Sequence, residues 1–431
     1  MRVHPAVLAA VLALLASGCE APPEEAAPGP TVAPAEVSVE GATTTLVNRD
    51  IPLWDGAREL VEEASIGSRS GDEAYLLGNV TSIAASDDTI YLSDFQTVSI
   101  RAYDMAGRHL FDVGSGGNGP GEFRRPFDIG LRRDGQLMVR DQVQRRVHVF
   151  SPDGTLIEDW ATERGNRSTI ALDGSVYVLR ENIFPDAEGK VTVSVKKYEA
   201  DGTEHDWADF PDRPPPPLIE TVGNQLELMA MFLGIGADWR STRWIPFGPR
   251  VVAEVAPNGA MLSGRADAYR FEVMRPNGST LVVEKEWTPT PISPAEADWY
   301  QRRLTALWRA ATDESWTWLE GEIPPHKGAF LTIVPALDGS FWVVREMAGV
   351  ALDDCDANPK DFFGFDEAPC WHQPYIADVF DEEGRFLGSV SMPDRIRYHV
   401  RPFIRGDMVV ALVEDVDGVA YVRRFRLLSP G

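Results

Sequence analysis

The feature that most constrains this chain of 431 residues is an internal repeat. Each unit holds an apolar strand, a Gly-containing turn, a second strand, a third strand ending in an aromatic residue, another Gly turn and a fourth strand. The first copy runs from Val80-Thr81-Ser82-Ile83 through Ile90-Tyr91-Leu92 and Ile100-Arg101-Ala102-Tyr103 to Leu110-Phe111-Asp112-Val113. The second holds Phe127-Asp128-Ile129, the Asp134-Gly135 turn, Leu137-Met138-Val139, Val147-His148-Val149-Phe150, the Asp153-Gly154 turn and Leu156-Ile157. Weaker copies carry Asp173-Gly174 with Asp201-Gly202, Asn258-Gly259 with Asn277-Gly278, and Asp338-Gly339 with Glu383-Gly384, and a last one surrounds Met408 and Tyr421. Asp-Gly and Asn-Gly pairs favour two-residue hairpins in which both central residues take positive φ. Six such units predict an all-β, six-bladed β-propeller.

The last unit offers three strands, and Leu60 to Ile66 form an orphan strand ahead of the first. An N-terminal strand of this kind completes the final blade, closes the ring and removes free sheet edges, giving 24 strands. Hydrophobic residues at 44% suffice for the core this requires.

One stretch resembles the NHL repeat family. The matching residues are Gly116-Gly117-Asn118-Gly119-Pro120-Gly121-Glu122-Phe123, Pro126-Phe127-Asp128-Ile129, Val139-Arg140-Asp141 and Arg146-Val147-His148-Val149-Phe150-Ser151. The resemblance implies a six-bladed NHL/TolB-like propeller; it implies no activity, because such propellers serve as binding platforms, scaffolds and enzymes.

Residues 1–18 read as an export signal: Arg2, an apolar run from Ala6 to Ala16, then small residues. Ala16-Ser17-Gly18-Cys19 resembles the bacterial lipobox, with Ala16 where Leu is usual. That resemblance implies lipidation at Cys19 and, with Glu20 in second place and not aspartate, an outer-membrane location where the cell has one. The expected localisation is the cell envelope, periplasmic or surface-facing. Residues 19–37, rich in Ala, Pro and Glu, read as a disordered tether, and residues 38–431 as the propeller. Cys355 and Cys370 flank a 14-residue loop in an exported chain and are expected to form a disulfide, with free thiols or half a metal site as the alternative.

A formal charge of -25 opposes binding of nucleic acid or attraction to an anionic membrane. Gly114-Ser115-Gly116-Gly117-Asn118-Gly119 matches the G-x-G-x-x-G pattern, but Pro120-Gly121-Glu122-Phe123 leads into a strand where a phosphate-binding helix would be needed. Of seven histidines only His326, His372 and His399 could lie near the channel mouth, and no G-x-S-x-G elbow occurs. No catalytic residue, metal or cofactor is assigned.

The insertions are more informative. Long ones fall at about 211–249, 288–329 and 349–374, all in connections that share one face of a propeller. They hold Trp239, Trp244, Trp299, Trp308, Trp316, Trp318 and Trp371. Ser293-Pro294-Ala295-Glu296 has the form of a capping box, and Tyr300, Leu304, Leu307, Trp308 and Ala311 recur at helical spacing. This predicts an amphipathic helix across the face, with its stripe packed on neighbouring loops or left as a groove. Leu226 to Leu233 suggest a second short helix. Arg125, Arg167, Arg250, Lys327 and Arg401 stand where innermost strands begin, suggesting a basic ring that attracts an anion, or cations paired with insertion acids such as Asp353, Asp354 and Glu367.

The reading is a non-catalytic, membrane-tethered binding or scaffold propeller that recognises a small anionic ligand or an envelope protein on its Trp-rich face. Its candidate contacts are Arg125, Arg167, Arg250, Lys327, Arg401, Trp299, Trp308, Trp318 and Trp371. The alternative is a propeller lyase or hydrolase acting on a small anionic or carbohydrate substrate.

Overall fold

In the computed structural model, residues 35–181, 193–210, 218–221, 241–311, 317–318, 321–352 and 370–429 are described. They form six antiparallel blades around a central channel. Innermost strands begin at Val80, Pro126, Arg167, Val251, Thr332 and Phe403, in blades one to six. Each blade gives four strands to the ring, stepping outward in chain order, with the sixth completed from elsewhere. The core lies between blades, where second-strand residues such as Ile90, Leu92, Val139, Val178, Val343 and Val410 are buried.

The repeated turns differ from the expected type. Gly135 has φ 84°, but Asp134 is not among the residues with positive φ. Gly135 N–H donates to Arg132 O at 3.0 Å, Arg132 N–H to Gln136 O at 2.9 Å, and Gln136 N–H to the Asp134 carboxylate at 3.1 Å. This is a three-residue loop in which a type I turn hands over to a left-handed glycine. The Asp side chain, which caps the turn from a right-handed backbone, selects this geometry over a turn with two positive φ values.

The sequence Glu59–Ile66 forms β3 and pairs antiparallel with Ala420–Leu428, so the ring closes as expected. The chain before it is more structured than the tether assignment allowed. Ala35–Glu40 (β1) and Thr43–Asn48 (β2) form a hairpin, and β2 lies parallel to Thr280–Lys285, the outermost strand of blade four. Ordered structure therefore begins inside the 19–37 stretch. Asn48 is buried and works as a clamp: its amide donates to Glu284 O and Gly384 O at 3.2 and 2.9 Å, and its carbonyl accepts Phe386 N–H at 2.9 Å. The chain then crosses blade five through Leu53 and Trp54, whose N–H groups donate to Phe386 O and Leu387 O. Gly388 makes room there, since a Cβ would lie 2.6 Å from the Trp54 ring. Residues 35–66 thus belt blades four, five and six from outside.

Aspartates end second strands and explain part of the repeat motif. Asp141 is fully buried, and its carboxylate accepts N–H donors from Arg124, Arg125, Val143 and Gln144 at 2.6–2.9 Å. Asp94 does the same in blade one for Gly78, Asn79 and Gln96. The Gly114–Gly119 run forms a loop with a short pairing of Ser115–Gly116 to Glu122–Phe123, and no helix follows.

Residues 210–250 join blade three to blade four, residues 286–331 join blade four to blade five, and residues 347–374 join the second and third strands of the blade-five sheet. Pro294–Ala311 is the amphipathic helix, α1. Among the described residues no helix is long and apolar enough to cross a membrane. The suggested helix at 226–233 lies outside the described residues.

Candidate functional site

Three charged side chains meet at the head of the channel. Arg167 opens the inner strand of blade three, Glu254 lies on that of blade four, and Arg401 precedes that of blade six. In a ring of six, blade six stands opposite blade three, so Arg401 reaches across the axis. Its Nη1 donates to Thr169 Oγ1 at 3.2 Å and its Nη2 to one oxygen of Glu254; the other oxygen of Glu254 accepts Arg167 Nη1. Arg167 Nη2 also donates to Ala253 O at 2.9 Å. Burial pushes the Glu254 carboxyl up, but the guanidiniums of Arg401 and Arg167 together hold it below its ordinary range.

That balance fixes a pH dependence. A carboxyl whose folded pKa lies below the unfolded 4.5 contributes stability present above 4.5 and lost as pH falls through the folded value. The stability gap between the parent and Glu254→Gln, read from urea unfolding, is therefore expected to close progressively below pH 4.5. A gap of constant size down to acid would remove Glu254 as the ionised partner of the two arginines.

A second cluster continues from the first. Asp128, on the inner strand of blade two, accepts Ser168 Oγ at 2.6 Å and lies 3.5 Å from Nη1 of Arg140. Arg140 is fully buried and donates weakly to Glu163 O and Gly165 O, both at 3.4 Å. Burial raises the Asp128 carboxyl above its ordinary range despite Arg140, Ser168 and Arg401. The same burial lowers the Arg140 guanidinium.

These clusters line one end of a chamber of about 590 Å³ whose other end is lined by residues of the tight turns, such as Asp87, Asp134 and Gly135. Its walls include Ile83, Ile129, Ile170 and Ile404, and its far end includes Asp87, Arg133 and Arg405. Arg405 pairs there with the exposed Asp87 at 2.6 Å. The volume is in the range that holds small-molecule ligands.

The expected ring of five cations is not one structure. Arg167 and Arg401 converge on Glu254, an inner-strand acid, while Asp353, Asp354 and Glu367 lie outside the described residues. Arg125 stacks on Phe95 and Phe127, with its guanidinium 5.0 and 5.5 Å from the ring centres. Arg250 is exposed and helps offset the upward push of burial on the Glu346 carboxyl. Lys327 is withdrawn from any ring: it is 2% exposed and 3.1 Å from the buried Glu296, and donates to Met347 O at 2.7 Å and to Gln373. Burial lowers its ammonium pKa.

This buried pair also alters the capping box. Ser293 Oγ accepts Glu296 N–H at 3.1 Å, as a helix cap should. The Glu296 side chain does not return the bond; it turns inward to Lys327 and to Gln373 Nε2 at 2.8 Å, pinning α1 to blade five. The helix stripe packs on its neighbours. Trp299 is 9% exposed against Cys370, Tyr300 meets Phe247 at 4.8 Å, and Leu304 joins Ile245, Trp318 and Ile323. Trp318 Nε1 donates to Thr305 Oγ1 at 2.8 Å, and Trp371 packs in the Trp299 cluster. The side chains of Trp239, Trp244, Trp308 and Trp316 lie outside the described residues, as does Cys355.

Of the three histidines expected near the mouth, His399 lines the chamber, His372 pairs with Asp394 at 3.1 Å, and His326 bridges to Pro291. Among the described residues no group of three or more His, Cys, Asp or Glu side chains is placed to hold a metal.

Sequence reasoning passed over Asp128, Glu254 and Ser168. Asp128 stands inside the Phe127-Asp128-Ile129 strand, where one polar residue in an apolar inner strand is a legible signal. Glu254, within Val251–Val255, carries the same one.

A family model, DUF5128, described as a 6-bladed beta-propeller, matches residues 71–180. Among solved structures, a member of the DUF4221 family from Bacteroides vulgatus is 10% identical, with TM-score 0.48, covering 87% of this chain and 99% of its own. A Bacteroides fragilis protein is 10% identical, with TM-score 0.44, covering 89% and 100%. Virginiamycin B lyase from Staphylococcus aureus is 8% identical, with TM-score 0.33, covering 81% and 95%. No curated protein matches the sequence. The fold is a six-bladed β-propeller; at such identities and scores these structures carry no argument about activity.

Proposed function

We propose that this protein is a binding propeller, tethered to the envelope through Cys19, that holds a small anionic ligand in its central chamber. The observation that carries this is the chamber of about 590 Å³ headed by Arg167 and Arg401, whose guanidiniums both reach the carboxylate of Glu254. This moves the site from the Trp-rich face, where Trp299 is packed inside the cap, to the channel. The tether rests on the lipobox resemblance, and nothing in the chamber depends on it.

A thermal-shift screen of anionic metabolites and sugars tests the reading, using the full chain, Arg401→Ala and Arg250→Ala. A chamber ligand at one hundred times its Kd stabilises by about 2.7 kcal/mol. The expected result is a shift in the parent and in Arg250→Ala that is lost in Arg401→Ala. A shift lost only in Arg250→Ala would return the site to the capped face.

One observation favours a second reading. Asp128 combines a raised carboxyl with Ser168 at 2.6 Å inside the chamber, the environment of a general acid or base. Mass spectrometry of the ligand after incubation separates the two. Unchanged ligand supports binding; conversion that disappears in Asp128→Asn supports a lyase or hydrolase.

A further inference from the structure

The two carboxylates at the head of the chamber are used unequally. Both oxygens of Glu254 are taken, one by Arg167 and one by Arg401. Asp128 is engaged on one side: its Oδ2 accepts Ser168 Oγ–H at 2.6 Å and lies 3.5 Å from Arg140 Nη1, while its Oδ1 accepts no hydrogen bond among the described residues. The Asp128 side chain lines the chamber and is 16% exposed. A carboxylate oxygen in a mostly buried wall is stabilised by a donor, and a hydrogen bond to a charged group is worth more than a neutral one. That donor is neutral. Asp128 already has the Arg140 guanidinium beside it and feels the charge of Arg401, so an ammonium would bring a further cation to one carboxylate. Arg401 offers the complement: its bonds to Thr169 and Glu254 engage two of five N–H donors among the described residues. Ser168, bonded to Asp128, and Thr169, bonded to Arg401, are consecutive, with Cα atoms about 3.8 Å apart, so one small molecule spans both contacts. A hydroxyl is the smallest neutral group that can donate to a carboxylate and accept from a guanidinium at once.

We propose that Asp128 is the specificity-determining residue of the chamber, and that the ligand carries a hydroxyl which donates to Asp128 Oδ1. This rests on the chamber being the binding site and needs no particular net charge at its head.

Titration calorimetry at pH 8 on the full chain carrying Cys19→Ser tests this with hexanoate, the 2-, 3- and 6-hydroxyhexanoates, their methyl ethers, hexan-1-ol and hexane-1,2-diol. A methyl ether accepts hydrogen bonds but cannot donate one. At least one hydroxy acid is expected to bind about tenfold tighter than hexanoate and than its own ether. In Asp128→Asn, Ser168 and Arg140 hold the amide oxygen where Oδ2 stood, which puts the donor Nδ2 in the place of Oδ1. The preference for hydroxyl over ether is then expected to vanish. Should that variant not fold, the comparisons within the parent decide. Hydroxy acids no tighter than hexanoate, or ethers as tight as the hydroxy acids, overturn the proposal, as does a preference that survives Asp128→Asn. If hexanoate binds and Arg401→Ala abolishes it while hydroxyls add nothing, the chamber stands and the hydroxyl falls. If no acid binds but the diol binds tighter than hexan-1-ol, and only with Asp128 present, the anionic reading falls and the hydroxyl stands. Failure of every probe to bind overturns both.

Discussion

Deleting the chain through Ile66 is expected to abolish a soluble monomer, whereas deleting it only through Asn48 leaves a folded propeller of lower stability. Both deletions remove N-terminal structure, but only the first opens the ring. Without β3, the nine-residue strand Ala420–Leu428 becomes an exposed edge. Ile66, 1% exposed, vanishes from the core shared by blades six and one, and Arg423, Arg424 and Arg426 lose Glu62 and Glu63. A long unpaired edge is a template for pairing with another chain. The shorter deletion leaves blade four with four strands and removes the Asn48 clamp and buried Leu46. Size-exclusion chromatography with far-UV circular dichroism reads the outcome. A monomeric, fully folded chain lacking residues 1–66 would mean that β3 is not the closing strand.

Asp141→Ala is expected to cost about 3–4 kcal/mol of stability, far more than removal of an exposed turn aspartate. The carboxylate is 0% exposed and accepts four backbone N–H groups, two from the loop entering blade two and two from the turn after its second strand. Truncation leaves those partly buried donors without an acceptor. Asp141→Asn, nearly isosteric, is expected to recover less than half of the loss, because its NH₂ would face either the Arg124 and Arg125 pair or the Val143 and Gln144 pair. Asp153→Ala, in an exposed turn, should change stability by less than about 1 kcal/mol. Urea unfolding of the three variants measures this. A cost for Asp141→Ala no larger than for Asp153→Ala would show that the donors find other partners.

Much of the fold was legible because a propeller is written locally. Each blade announces itself through its own strands and Gly turns, and the orphan strand at Leu60 to Ile66 showed how the ring closes. The hairpin of β1 and β2 was hidden by its neighbour: an Ala-, Pro- and Glu-rich run reads as a spacer. Only the alternation of Val37 and Val39 and the Thr43–Asn48 run beyond Gly41 hinted at strands. The turn type was misjudged because the Asp-Gly pair does not by itself choose between one positive φ and two.

The candidate site was legible in part. The basic residues at inner-strand starts were visible as a pattern, but sequence spacing cannot say where a long side chain ends. Arg401 spans the ring to blades three and four, Lys327 turns away into a buried pair with Glu296, and Arg125 lies on two phenyl rings. These fates depend on partners up to 232 residues away in the chain and on neighbouring blades. A cluster of tryptophans in insertions does not by itself tell a recognition surface from packing: Trp299 is spent on holding α1 to its loops.

The sequence alone determined the number of blades, the closing strand, the face that carries the insertions and the helix at Pro294–Ala311, because each follows from short-range periodicity and turn chemistry. Tertiary structure decided which charges meet. Pairing across a closed ring brings together residues that no local pattern relates, and the energy of a charge depends on its burial and partners, which exist only once the blades have packed.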